Sequence, residues 1–475
     1  MPLILPGNVA SATAATGFNV ENSIMMDHAS TSKLTRSHSG TPTSDKIGTF
    51  SCWVKILPGA QQSLSHSNDG AGSERCQMNI TSSGILDGTW RNAGRSAESD
   101  YASSTDGPLF RDPAAWYHVV WAWDTTDGTA ADRMKAYVNN TRVTLTFSGS
   151  GIPQNTAIPQ SKNGMDFDIG YHEDDNDGYS SGLKGYMAEV VFVDGQQLTP
   201  SSFGEADDDS PTIWKPKDEI ADDITFGTFG FYYKFEDGSN LDTDSSGNSN
   251  DADTASNLTQ MTDTPTNNFC TMNPLDNYFF GATFSEGNLK VATTDSIETF
   301  GTGTMGVASG KWYWEVKLTS ESAYSNIGIA SEVSDSASNY LGEKGSTPNY
   351  MYDSYAGNSY TSGSGTSYGN SYTTGDIIGV ALNLDDNEIK YYKNGTVQNS
   401  GTAISITAAA STPSGFYFPA AGERHDDDAT FEFNFGNPSF TISSGNADGN
   451  GYGNFEYSVP SGFYSLCTSN LAEFG

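Results

Sequence analysis

Short runs that alternate apolar and polar residues, each closed by Gly, Pro, Asn or Asp, recur along almost the whole chain. Ile47–Leu57 (IGTFSCWVKIL) ends at Pro58-Gly59, and Trp116–Asp124 (WYHVVWAWD) is followed across an Asp/Gly/Thr turn by Arg133–Val138. Gly185–Val193 (GYMAEVVFV) runs into Asp194-Gly195, a hairpin signal. Further runs are Met165–Tyr171, Gly230–Phe235, Trp312–Leu318, Ile327–Ala330, Ile377–Leu384 and Ile389–Tyr392. Period-two alternation bounded by turn residues specifies half-buried strands, and helical periodicity is nearly absent. The expected fold class is therefore all-β: two antiparallel β-sandwich (jelly-roll) domains in tandem.

Composition agrees. The 475 residues exceed what one core supports, so about two to three domains are expected. Apolar residues are sparse at 36%, and 24 Tyr with 25 Phe must carry much of the core, while 51 Gly serve turns. Fifty-eight acidic against 23 basic residues give a net charge of −35. A field of that sign repels phosphate and anionic headgroups, so neither nucleic-acid binding nor membrane insertion is expected. Cys52, Cys76, Cys270 and Cys467 show neither zinc spacing nor a disulfide framework and read as buried thiols. Met1–Val20 has no basic n-region and no continuous apolar stretch, unlike a signal peptide.

The chain divides on paper into an arm at 1–20, a sandwich at 21–240, an acidic Ser/Asn-rich connector at 241–277, a second sandwich at 278–440 and a tail at 441–475. The connector reading rests on Asp237–Thr254, a low-complexity run without apolar periodicity.

Two resemblances follow from particular wording. Phe50–Val54, Trp116–Asp124, Met134–Val138 and Gly185–Gly195 resemble the concanavalin A-like, laminin-G-type jelly roll. The phrase around Gly185–Gly195, with Leu198–Gly204 and Ile213–Lys217, is similar to marine bacteriophage proteins. In the second half Gly310–Val316 (GKWYWEV), Ile327–Ala330, Gly375–Val380 and Tyr392–Gly395 resemble a SPRY domain in order and spacing. Asp263–Phe269 looks like the junction of phage proteins that join both modules. These likenesses imply a non-enzymatic component of a phage particle surface: a tail fibre, a tail-associated adhesin or a capsid decoration. Such a protein, made in the cytosol without an export signal, would be a trimer or higher homo-oligomer. Its partners would be other virion proteins and a host surface glycan. A free carbohydrate-binding lectin is the alternative, and a divergent glycoside hydrolase a third.

Hydrolysis of a glycoside needs two carboxylates converging on one cleft. The nearest approximation, Glu189 and Asp194, has an odd separation that sends the side chains to opposite faces of a strand. Calcium is suggested by Glu173, Asp175 and Asp177, alternate acids ahead of Gly178, although Lys184 stands where a bidentate Glu would complete an EF-hand. Asp242-x-Asp244-x-Ser246-Gly247 is a weaker cluster of the same kind. For binding, Asn349–Thr374 is rich in Tyr, Ser, Gly and Asn, the composition of adaptable recognition surfaces. Tyr350, Tyr352, Tyr355 and Tyr360 are the candidate ligand contacts there.

Overall fold

The computed structural model describes residues 18–26, 32–57, 61–70, 73–91, 99–103, 107–148, 151–172, 181–208, 210–218, 220–294, 298–321, 323–343, 348–424 and 428–475. They form antiparallel sheets with little helix, as the alternating runs require. The chain divides into two compact units, with the boundary in sequence between Thr266 and Asn267. Among the described residues no helix is long and apolar enough to cross a membrane.

The first unit packs two eight-stranded sheets. Ile47–Ile56 and Gly185–Asp194 pair at the middle of one, and Tyr117–Asp124 extends it. Gln62–Asn68 and Asp166–Ile169 pair within the other. Phe50, Trp121, Trp123 and Phe192 from the first sheet meet Trp90, Phe167 and Ile169 from the second in one core. Trp121 and Trp123, two apart on a strand, are both fully buried, as their shared face demands.

The expected connector is not a separate element. Leu258–Met261 pairs with Ser23–Met26, and Thr254–Ser256 pairs with Lys33–Ser37, so residues 254–261 add a strand to each sheet of the first unit. The low-complexity stretch before them has no apolar period because its side chains close turns. Asp244 accepts from the backbone N–H of Tyr232, Ser246 and Asn250, each at 2.8 Å, and from the Ser246 hydroxyl at 2.7 Å. Asp244 of the second acidic cluster is thus committed to capping backbone. Beyond it, Asp263 is fully buried, paired with Lys55 Nζ at 2.8 Å and accepting from Trp116 Nε1 at 2.9 Å.

The second unit is also a sandwich, of a nine-stranded and a six-stranded sheet. Lys311–Glu321 lies between Ile377–Asn383 and Ala429–Asn434. Trp312, Trp314, Val316 and Leu318 alternate with Tyr313 and Glu315, yet both sets are buried. A strand buried on both faces needs a layer on each side, and the C-terminal residues supply the second. Tyr464–Ser465 pairs in parallel with Trp312–Tyr313, and Phe455 packs on the Tyr313 ring at 5.3 Å and 70°. Residues 441–475 are therefore an integral layer rather than a tail, with Phe455, Leu466 and Leu471 buried. All four cysteines are buried.

Candidate functional site

The six-stranded sheet decides the fate of the tyrosine-rich segment. Tyr350–Asp353 pairs with Ser325–Ala330 on one side and Asn358–Thr361 on the other. Alternation sends Tyr350 and Tyr352 to the same face as Ile327 and Ile329, and both tyrosines are buried there. Tyr352 meets the rings of Tyr368, Tyr372 and Tyr391 at 5.6, 5.1 and 5.2 Å, and its hydroxyl donates to the Asn370 carbonyl. The Tyr350 hydroxyl accepts from the Thr407 backbone N–H at 2.8 Å. Two of the four expected ligand contacts are thus core residues. Small neighbours do not leave such rings exposed here, because the tyrosines fill the volume for one another.

Tyr355 and Tyr360 differ. Tyr355 follows its strand and is 61% exposed, stacked on Tyr324 at 4.4 Å and 30°. Tyr360 pairs with Met351 on the opposite face from Tyr352 and is half-buried, edge-on to Tyr340 at 6.3 Å and 87°. One guanidinium ties these rings together. Arg424 Cζ lies 5.0, 5.6 and 4.8 Å from the ring centroids of Tyr324, Tyr340 and Tyr360. Its Nη2 is 3.8 Å from the buried Asp353 carboxylate, and its backbone N–H donates to the Tyr324 carbonyl at 3.1 Å. Strand ends bring the residues together: Ser325 pairs with Glu423, and Asn326 with Asp353.

Sequence reasoning did not reach Tyr324, Tyr340 or Arg424, which lie far from one another along the chain. Tyr324 carries one local signal, a positive φ of 60°, which an aromatic residue adopts only where the surrounding structure holds it. Burial, then the charge of Glu343, holds the Tyr340 phenol above its ordinary pKa, so it is a neutral hydrogen-bonding group at physiological pH. The cluster offers rigid aromatic faces, phenol hydroxyls and a strand-end position beside turns. Tyr and Arg concentrated in this way form the usual anchors of recognition surfaces.

The other sequence candidates divide. Glu173, Asp175 and Asp177 lie outside the described residues. Glu189 sits at a β-bulge with a φ of 50°, takes a hydrogen bond from the Tyr232 hydroxyl, and is pushed up to about 7 by burial. Asp194 accepts from the backbone N–H of Thr43, Ser44 and Phe229 at 2.7, 2.9 and 3.1 Å. One carboxyl is locked to a phenol and the other closes loops, which is structural work rather than a catalytic pair. A polar row crosses the second sheet of the same unit. Thr35 Oγ1 donates to Asp168 Oδ1 at 2.5 Å, and His66 Nδ1 lies 3.8 Å from Asp168 Oδ2. Gln77 Nε2 and His172 Nε2 are 3.0 Å apart, and the rings of His66 and His172 have centroids 4.5 Å apart. The neighbouring Ser65 and Ser67 alternate to the other face of the strand from His66. Among the described residues no three His, Cys, Asp or Glu side chains converge as a metal site.

The second unit is thus a β-sandwich with an arginine–tyrosine cluster at the strand ends of its six-stranded sheet. Residues 311–438 match the SPRY domain family. This part of the chain is 35% identical over 121 residues to Ran-binding protein 9 of Xenopus tropicalis, covering 23% of this chain and 22% of that protein. It is 32% identical over 130 residues to Ran-binding protein 10 of Danio rerio, covering 26% and 21%. The chain therefore spans about a fifth of the length of these relatives. Among solved structures it resembles the SPRY domain of human HERC1, with 17% identity, a TM-score of 0.26, and coverage of 32% of this chain and 91% of that one. The chain carries a SPRY domain, a protein–protein interaction module.

Proposed function

We propose that this protein is a non-catalytic recognition protein that engages a protein partner through Tyr324, Tyr340, Tyr355 and Tyr360, organised by Arg424. The observation that carries the reading is Tyr355, a large ring left mostly in solvent while its stacking neighbour is fixed by a guanidinium. Ring faces held rigid lose little entropy on binding, which is what a recognition anchor requires. Hydroxyl-radical footprinting of the chain, free and in its native assembly, tests it. Protection should concentrate at Tyr355 and Tyr324, and unchanged labelling of both would contradict it.

The finer setting is a phage particle surface, where the partner is another virion protein. Supporting this are the phage-like wording at Gly185–Lys217 and Asp263–Phe269 and the acidic composition, poor in Lys and Arg. A homo-oligomer of three or more copies, and a host glycan lying on the same rings, belong to this setting. Mass spectrometry of purified particles should find the chain in fixed stoichiometry; its presence only in the soluble fraction would favour a free lectin.

A further inference from the structure

Resting on that reading, we infer that the partner segment meeting Tyr355 carries arginine or lysine. Three observations point the same way. First, what Tyr355 presents to solvent is an aromatic ring, and the face of such a ring is electron-rich and attracts a cation placed over it. Second, carboxylates outnumber cations around the rings among the described residues. Asp353 lies beneath Arg424, Glu343 accepts from the Tyr340 backbone N–H at 3.3 Å, and half-buried Glu321 is hydrogen-bonded to Ser325 and Ser354. The Arg424 charge does not reverse this balance, because its side chain is only 13% exposed and faces the Asp353 carboxylate. Third, 58 acidic against 23 basic residues put the site in the field of a chain with net charge −35. That field draws in a basic segment and repels an acidic one well before contact. A neutral sugar would stack on the ring and gain nothing from the field.

The test uses the full chain, immobilised, and a library of random peptides about a dozen residues long. Selected peptides should carry Arg or Lys at a recurrent position and bind about tenfold more weakly to the Tyr355→Ala chain. Tyr355→Phe keeps the ring and should bind as the wild type does, whereas loss in that variant would mean the hydroxyl, not the ring face, is recognised and would overturn the cation assignment. Raising salt from about 0.05 to about 0.5 M should weaken binding severalfold, since exposed charges are screened within a few ångströms at the higher concentration. Tyr355-dependent peptides that are neutral or acidic would overturn the basic-partner inference and leave the recognition reading standing. Peptides indifferent to Tyr355→Ala and Tyr324→Ala, or no selected peptide at all, would overturn both.

Discussion

Phe455→Ala tests whether the C-terminal residues are a structural layer of the SPRY unit. Phe455 is fully buried and packs edge-to-face on Tyr313, with Ala381 in the same apolar cluster. Removing a buried phenyl ring loses its transfer free energy and leaves a cavity, a cost of about 3–5 kcal/mol. The segment is held beside it by Glu315. Its carboxylate accepts from the backbone N–H of Glu456 at 2.9 Å and Tyr457 at 2.8 Å, and from Asn434 Nδ2 and the Tyr313 hydroxyl, both at 3.2 Å. Glu315→Ala strands two backbone donors at about 1–3 kcal/mol each. The assay is urea unfolding of the full chain, with amide hydrogen exchange along 311–321 to assign the loss to this unit. Both variants should accelerate exchange in that strand. Truncation after residue 440 should do more, since it uncovers Tyr313 and deletes the parallel strand at Tyr464–Ser465. If the truncated chain keeps wild-type protection along 311–321, the layer contributes nothing and the reasoning fails.

Further expectations are independent of that one. Burial raises the Glu315 carboxyl to about 7 from an unfolded value of 4.5, so the folded state binds its proton more tightly. The stability from that proton is fully present below pH 4.5 and is lost as pH rises through about 7, a swing of about 3 kcal/mol. Glu315→Gln should flatten the pH dependence of unfolding across this window; an unchanged profile would show that Glu315 does not titrate there. Lys55→Met leaves Asp263 buried without its counter-ion and should cost about 3–5 kcal/mol in the first unit, read by thermal unfolding; a wild-type melting curve would contradict this. If Glu173, Asp175 and Asp177 hold calcium, added Ca²⁺ should raise the melting temperature of the wild type and not of the Asp175→Asn/Asp177→Asn chain; an equal response of the two chains would discard the site.

The all-β fold was legible because strand alternation is written into single runs such as Ile47–Leu57 and Trp312–Leu318. The SPRY motifs were legible for the same reason, since each lies within one strand or turn. What escaped was long-range. The acidic run before Thr254 looked like a linker because Asp244 spends its oxygens on backbone amides, and such capping leaves no apolar period. Residues 441–475 looked like a tail because their apolar residues are widely spaced, although Phe455, Leu466 and Leu471 all reach the interior. At the candidate site, composition singled out the tyrosine-rich segment and could not separate Tyr352 from Tyr355. Only the pairing of Asp353 with Asn326 shows where the strand ends and the side chains turn outward.

The most direct measurement compares Tyr355→Ala with Tyr352→Ala in the same two assays, affinity for the partner and thermal stability. Tyr355→Ala should weaken binding by about 1–3 kcal/mol, as loss of an anchor does, with folding nearly unchanged because the ring is 61% exposed. Tyr352→Ala should lose about 3–5 kcal/mol of stability, since its ring is fully buried among three other tyrosines. Wild-type affinity in the Tyr355→Ala chain would contradict the assignment of recognition to this cluster.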